Sequence, residues 1–190
     1  GLRNIRGILI SNVSFPKNIE KEIIQKSKTC RLMLPYIEKS IRQLLKAKAD
    51  FIVLPCNTLH DLLPELRKKF DCKFIDLIEE TSNHIKKNYS SIGILGTSKT
   101  KQRKLYDKNL EDVNIIYPLE KEQEELSKVI NRIISTSANK KDKRFLDNLI
   151  DKLQKRGAEK VVLACTDLGN LIKRDERIID STEVLIKGIV

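Results

Sequence analysis

Ala49-Asp50-Phe51-Ile52-Val53-Leu54-Pro55-Cys56 aligns without gaps with Ala158-Glu159-Lys160-Val161-Val162-Leu163-Ala164-Cys165. Each copy reads as a small residue, an acid, a short apolar run rich in β-branched side chains, and a cysteine. Small polar residues follow: Asn57-Thr58 in the first copy, Thr166 in the second. An apolar run of this length and type predicts a strand buried on both faces. Each copy is preceded by an earlier run of similar type, RGILISN at 6–12 and SIGILGTS at 91–98. Two matches on one frame predict two similar halves. The expected boundary lies near Asn88–Ser91, giving a first lobe over 1–88 and a second over 89–180. The last segment, 181–190, reads as a helix that returns to complete the first lobe.

Outward from the repeat, short strand-like runs alternate with amphipathic segments. Strands are predicted at Arg6–Asn12, Asp50–Leu54, Lys73–Asp76, Ser91–Leu95, Val113–Tyr117, Lys160–Ala164 and Arg177–Asp180. Helices are predicted over Asn18–Lys48, with Pro35 as a candidate break, and over Asp61–Lys69, Leu77–Lys87, Lys101–Leu110, Leu119–Thr136 and Asp142–Arg156. Ser135–Lys143 reads as an exposed turn between helices. The fold class that follows is α/β: two pseudo-symmetric lobes, each a mainly parallel sheet flanked by helices, with a site between them.

The composition narrows the function. The chain has 190 residues, 40% of them hydrophobic and 33% charged, which excludes a collagen-like or wholly disordered protein. No apolar run is long enough for a membrane span and no signal-peptide layout is present, so a soluble cytoplasmic protein is expected. The formal net charge is +11, but lysines alternate with acids along the helical segments and only 5% of residues are aromatic. The basic runs Lys140–Arg144 and Arg67–Lys69 lack the interleaved aromatics of a single-strand-binding groove. Nucleic acid is therefore not an expected partner, and neither is a membrane.

Four cysteines (Cys30, Cys56, Cys72, Cys165) and two histidines (His60, His84) form no CxxC pair. They suit neither a structural zinc site nor a disulfide framework. Gly93 and Gly96 do not make a dinucleotide fingerprint, and Lys99, without a Gly-rich loop, reads as a solvated lysine. No lysine is marked for a Schiff base, so no cofactor and no metal are expected. Cys30 and Cys72 read as core filler and His84 as surface.

Cys56 and Cys165 differ from the other cysteines because they sit at strand ends, where open parallel sheets bind ligands. The helix starts that follow them are expected to ease ionisation of a thiol and to hold a carboxylate. If the lobes face each other, one thiolate can remove a proton from one face of a carbon while the opposite thiol returns one. Such chemistry inverts a stereocentre without a cofactor. His60, one turn after Cys56, either tunes that thiol or faces solvent.

IVLPCNTLH (52–60) and VVLACTDL (161–168) resemble the two signature segments of the aspartate/glutamate racemase superfamily. SIGILGTSKT resembles the strand-loop that opens its second lobe, and IIDSTEVL its closing segment. The resemblance implies racemisation without pyridoxal phosphate, with Cys56 and Cys165 as the proton donor and acceptor. It makes Asn57, Thr58, Thr97 and Thr166 ligands of a small amino-acid substrate, and Asp167 an orienting or activating group beside Cys165. It also implies a homodimer.

Four departures stand out. Family members usually begin with a further strand and a Gly-rich loop before the segment matching RGILISN, and the expectation is that this unit is lacking. Asp167 replaces a glutamate. The segments FPKNIE and IISTSANK do not clearly retain the cations that grip a distal carboxylate in aspartate-specific members, although Lys17 could substitute. SNVSFPKNIE is closer to the broad-specificity amino-acid racemase branch. The readings left open are an aspartate, glutamate or broad-specificity racemase, a maleate- or hydantoin-type isomerase, and a non-catalytic binding module.

Overall fold

In the computed structural model, which describes residues 7–16, 19, 30–172 and 175–189, β-branched runs form two parallel sheets. The smaller pairs β1 (Phe51–Val53) with β2 (Lys73–Ile75), Ile52 opposite Phe74. The larger has β3 (Ser91–Gly96), β4 (Asn114–Ile116), β5 (Lys160–Ala164) and β6 (Ile178–Asp180) in the order β4-β3-β5-β6. Its central strands β3 and β5 are buried along almost their whole length, as covering on both faces requires.

The helices are α1 (Leu34–Lys46), α2 (Leu63–Lys69), α3 (Leu77–Asn88), α4 (Ser98–Gln102), α5 (Glu120–Ile134), α6 (Lys140–Lys155) and α7 (Ser181–Ile189). Strand alternation sorts the core of the larger sheet into two layers. Leu95, Val161 and Leu163 face α5 and α6, packing on Leu126, Ile130, Leu149 and Leu153. Ile92, Ile94, Val162 and Ala164 face the other way, onto Ile78, Ile85, Tyr106 and Leu110. A third cluster joins Ile52 and Phe74 to Ile37, Ile41, Leu66 and Phe70. Although α3 precedes the expected boundary, its Ile78 and Ile85 belong to the larger sheet's core, and α7 packs against it.

Several elements differ from expectation. The segment RGILISN forms no strand over its described residues 7–12, and Ile8 and Ile10 are 85% and 87% exposed. A short apolar run becomes a strand only where a sheet edge supplies its ladder, and β1 pairs only with β2 among the described residues. Part of the expected helix at 18–48 lies outside the described residues. Its remainder is a 3-10 turn, Cys30–Met33, followed by α1. Pro35 starts α1 instead of breaking it, because a first-turn residue has no intrahelical N–H bond to lose.

The expected helix at 101–110 is mostly absent. The chain leaves α4 through Lys104 at φ 49°, a left-handed turn in which the Leu105 N–H donates to the Thr100 carbonyl. This turn drops Tyr106 into the core, fully buried.

Candidate active site

Cys56 and Cys165 occupy equivalent backbone positions. Each stands in extended conformation (φ −150°, ψ 110° and φ −139°, ψ 119°) just before a 3-10 turn, Asn57–Leu62 and Thr166–Asn170 respectively. The carbonyl of each accepts the N–H three residues on: Leu59 to Cys56 at 3.2 Å and Leu168 to Cys165 at 3.1 Å. The repeat is therefore conformational as well as sequential. The α-helix expected from Asp61 begins at Leu63 behind this turn, so neither cysteine sits directly at an α-helix start.

That local structure corrects the expected ionisation. Burial raises both thiols above the ordinary cysteine range, and the Asp167 carboxylate raises both further. Cys56 also appears among the charges that raise Cys165, so the two thiols feel each other. A short 3-10 turn aligns too few peptide dipoles to offset the cost of burying a thiolate. Cys165 Sγ lies 3.8 Å from Asp167 Oδ2, placed to donate to it, so these two residues are brought together.

His60 is buried and does not face solvent. Its Nε2 accepts the Leu77 N–H at 3.0 Å, which leaves the proton on Nδ1, donated to the Cys56 carbonyl at 2.9 Å. Burial lowers its pKa below the usual histidine value, consistent with a neutral ring. The imidazole thus clamps the Cys56 backbone to the start of α3.

The polar residues after Cys56 meet the larger sheet. Thr58 Oγ1 lies 3.0 Å from Thr97 Oγ1, which also accepts the Thr100 N–H and so caps α4. The Asn57 amide is already engaged: its carbonyl accepts from Tyr106 at 2.5 Å and its Nδ2 donates to Ser181 at 3.2 Å. Two of that side chain's hydrogen bonds are therefore made within the protein. Thr166 is half-buried at the mouth of its turn.

The sequence reading missed several neighbours. Lys99 is 4% exposed, not solvated, with its ammonium 3.7 Å from Asp61, and Arg103 approaches the same carboxylate at 3.5 Å. Cys30, fully buried, donates to the Thr58 carbonyl at 3.6 Å, and its thiol is pushed up to about 11, mainly by burial. Ser181 lies within the IIDSTEVL segment, so the motif held a signal for it, whereas nothing local marks Tyr106. Cavities of about 360 and 500 Å³ open beside β6 and α7, lined by Glu176, Asp180 and Glu183, and neither reaches the cysteines. Among the described residues no cluster of three or more His, Cys, Asp or Glu could hold a metal ion, and no helix is long and apolar enough to cross a membrane.

Each parallel sheet leads through an extended cysteine into a 3-10 turn, and comparison with known proteins gives a chain of this architecture its family. Residues 3–189 match the family described as Asp/Glu/hydantoin racemase, and the chain belongs to that family. It is 28% identical over 152 residues to the broad-specificity amino-acid racemase RacX of Bacillus subtilis, covering 78% of this chain and 66% of that protein. The chain thus spans slightly less than two thirds of that relative's length. Its fold is similar to that of PH1733, an aspartate racemase homologue from Pyrococcus horikoshii (TM-score 0.69, 23% identity, 89% of this chain and 77% of the other). It is also similar to that of Picrophilus torridus aspartate racemase (TM-score 0.71, 22% identity, 88% and 73%).

Proposed function

We propose that this protein is a cofactor-independent amino-acid racemase in which Cys56 and Cys165 serve as paired bases. The observation that carries this reading is the equivalence of the two cysteines. They share one backbone conformation, one following turn and one carboxylate, Asp167, acting on both. In the proposed reaction the thiolate of one cysteine takes the α-proton, breaking C–H and forming S–H. The electron pair left on the α-carbon delocalises into the substrate carboxylate. The opposite thiol then delivers its proton to the other face and becomes the thiolate, so the pair exchanges roles with each inversion.

Burial and Asp167 hold both thiols protonated at rest. The substrate's α-ammonium would supply the opposing charge that lets one thiol release its proton to solvent as the substrate binds. In this reading Thr58, Thr97 and Thr166, with the remaining Asn57 N–H, receive the substrate, while Asp167 orients Cys165 and His60 fixes the Cys56 backbone. The lobes would be 1–88 with 181–190, and 89–180, with α3 and α7 packing across the boundary onto the second lobe's sheet. The similarity to RacX favours a small α-amino acid, with aspartate and glutamate among the candidates. A homodimer in the cytoplasm belongs to the same proposal and rests on family resemblance.

The test is proton exchange in deuterated water with a panel of L- and D-amino acids, maleate and hydantoins, followed by NMR and chiral chromatography. The expected result is racemisation with α-deuteration, abolished by Cys56→Ser or Cys165→Ser, each single variant exchanging from one face only. Turnover of maleate or hydantoin alone would move the protein to a related isomerase. Thermal stabilisation by an amino acid without exchange would make it a binding module.

A further inference from the structure

The side-chain bonds around Asn57 form a directional chain between the two cysteine-bearing segments. Leu163 lies in β5, two residues before Cys165, and its backbone carbonyl can only accept; the Ser181 hydroxyl donates to it at 2.8 Å. With its one proton committed, Ser181 Oγ accepts from Asn57 Nδ2 at 3.2 Å. That orients the amide, so its carbonyl oxygen must face Tyr106, whose hydroxyl donates to it at 2.5 Å. The polarity of the chain is therefore set from the Leu163 carbonyl outward. Asn57, Tyr106 and Ser181 are at most 1% exposed, so none of these bonds competes with bulk water. Asn57 directly follows Cys56. Thr81, which donates to the Leu77 carbonyl at 2.7 Å, also faces the Tyr106 hydroxyl.

We infer that Tyr106 and Ser181 are positioning residues that fix the location of Cys56 relative to Cys165 through Asn57 and the Leu163 carbonyl. They touch no reacting atom; they set the separation of the two groups that do. The inference rests on the two-cysteine reading for its catalytic meaning, but the placement of the thiols can be measured without turnover. Proton transfer is sensitive to small displacements, so a loosened relay lowers the two-sided reaction more than one-sided exchange, which needs only one thiol in place.

The experiment compares wild type with Tyr106→Phe, Ser181→Ala and the conservative Ser181→Thr on two readouts. One is the ratio of racemisation to α-proton exchange in deuterated water. The other is the yield of a Cys56–Cys165 cross-link from a short bis-alkylating reagent, mapped by mass spectrometry. Thermal melting monitors folding, and both readouts are taken well below each variant's transition. Tyr106→Phe and Ser181→Ala are expected to lower the ratio by roughly tenfold or more with KM little changed. The cross-link yield should fall in parallel, and Ser181→Thr should restore both readouts. Wild-type values for both readouts in Tyr106→Phe and Ser181→Ala would overturn the relay. So would an equal fall in racemisation and exchange with the cross-link unaffected, as expected of a merely structural role. If wild type cross-links but never racemises, the activity reading fails, and the cross-link comparison alone decides the relay.

Discussion

Thr58 Oγ1 and Thr97 Oγ1 lie 3.0 Å apart, joining the turn after β1 to the loop after β3. The bond belongs to a seam in which every polar residue from Asn57 to Asp61 reaches across or clamps the turn. Asn57 meets Tyr106 and Ser181, Thr58 meets Thr97, His60 holds Cys56, and Asp61 meets Lys99 and Arg103. A network of this kind, buried at Asn57, Thr58, His60 and Thr97, favours one arrangement of its parts.

The threonine pair should therefore be energetically coupled. In a double-mutant cycle with Thr58→Val and Thr97→Val, each read by urea unfolding, the coupling is expected to be about 1 kcal/mol. Thr97→Val alone should cost the more of the two, because that hydroxyl also accepts the Thr100 N–H. A cycle that closes to zero would mean the seam is proximity without cohesion.

The ion pair beside it should be asymmetric. Asp61→Asn leaves the Lys99 ammonium, on a side chain 5% exposed, without its carboxylate, whereas Lys99→Met leaves Asp61 with Arg103. Removing one partner of a buried pair costs about 3 kcal/mol or more, mostly through the charge left behind. Chemical denaturation should therefore rank Asp61→Asn as the more damaging, with Lys99→Met costing about 1 kcal/mol. The reverse ranking would show that the ammonium finds other acceptors when Asp61 is gone.

The parallel sheets were legible because β3 and β5 are buried on both faces, and burial on both faces writes a continuous apolar run into the sequence. Cys56 and Cys165 were legible for a related reason, since a repeated segment repeats its backbone conformation. RGILISN carries the same signal without a paired edge, and a strand depends on a partner that its own residues do not encode. Lys99 and Tyr106 were illegible because their roles come from residues far away in sequence: Asp61 for one, Asn57 for the other. A lysine near a loop reads as solvated until the fold closes over it. The direction of the thiol shifts was misjudged because the turns after the cysteines are 3-10 and short, while burial, a tertiary property, decides the sign.

Asp167 offers a direct check on that electrostatic picture. Burial is the largest cause of the raised Cys165 and Cys56 thiols, and the carboxylate adds to it at both. Asp167→Asn removes the charge at nearly constant volume and should lower both thiol pKa values. Alkylation by iodoacetamide, followed by mass spectrometry across a pH series, should then start at lower pH for both residues. The larger displacement is expected at Cys165, whose sulfur donates directly to Oδ2. Unchanged profiles would place Asp167 outside the electrostatic reach of the sulfurs.

His60 should leave its signature in the pH dependence of stability. Burial lowers its pKa in the folded protein below the ordinary value of 6.5, while the unfolded chain retains that ordinary value. At a pH between the two, the unfolded state binds the proton and the folded state does not. Stability from this group is therefore complete above the unfolded pKa and is lost as the pH falls towards the folded one. Protonating the ring also converts Nε2 from an acceptor of the Leu77 N–H into a second donor, which breaks the clamp on α3. In urea titrations, wild type should lose stability from about pH 6.5 downward more steeply than His60→Asn, in which no titrating ring remains. Parallel curves for the two proteins would mean that the imidazole titrates alike in both states and that its burial is relieved by local opening.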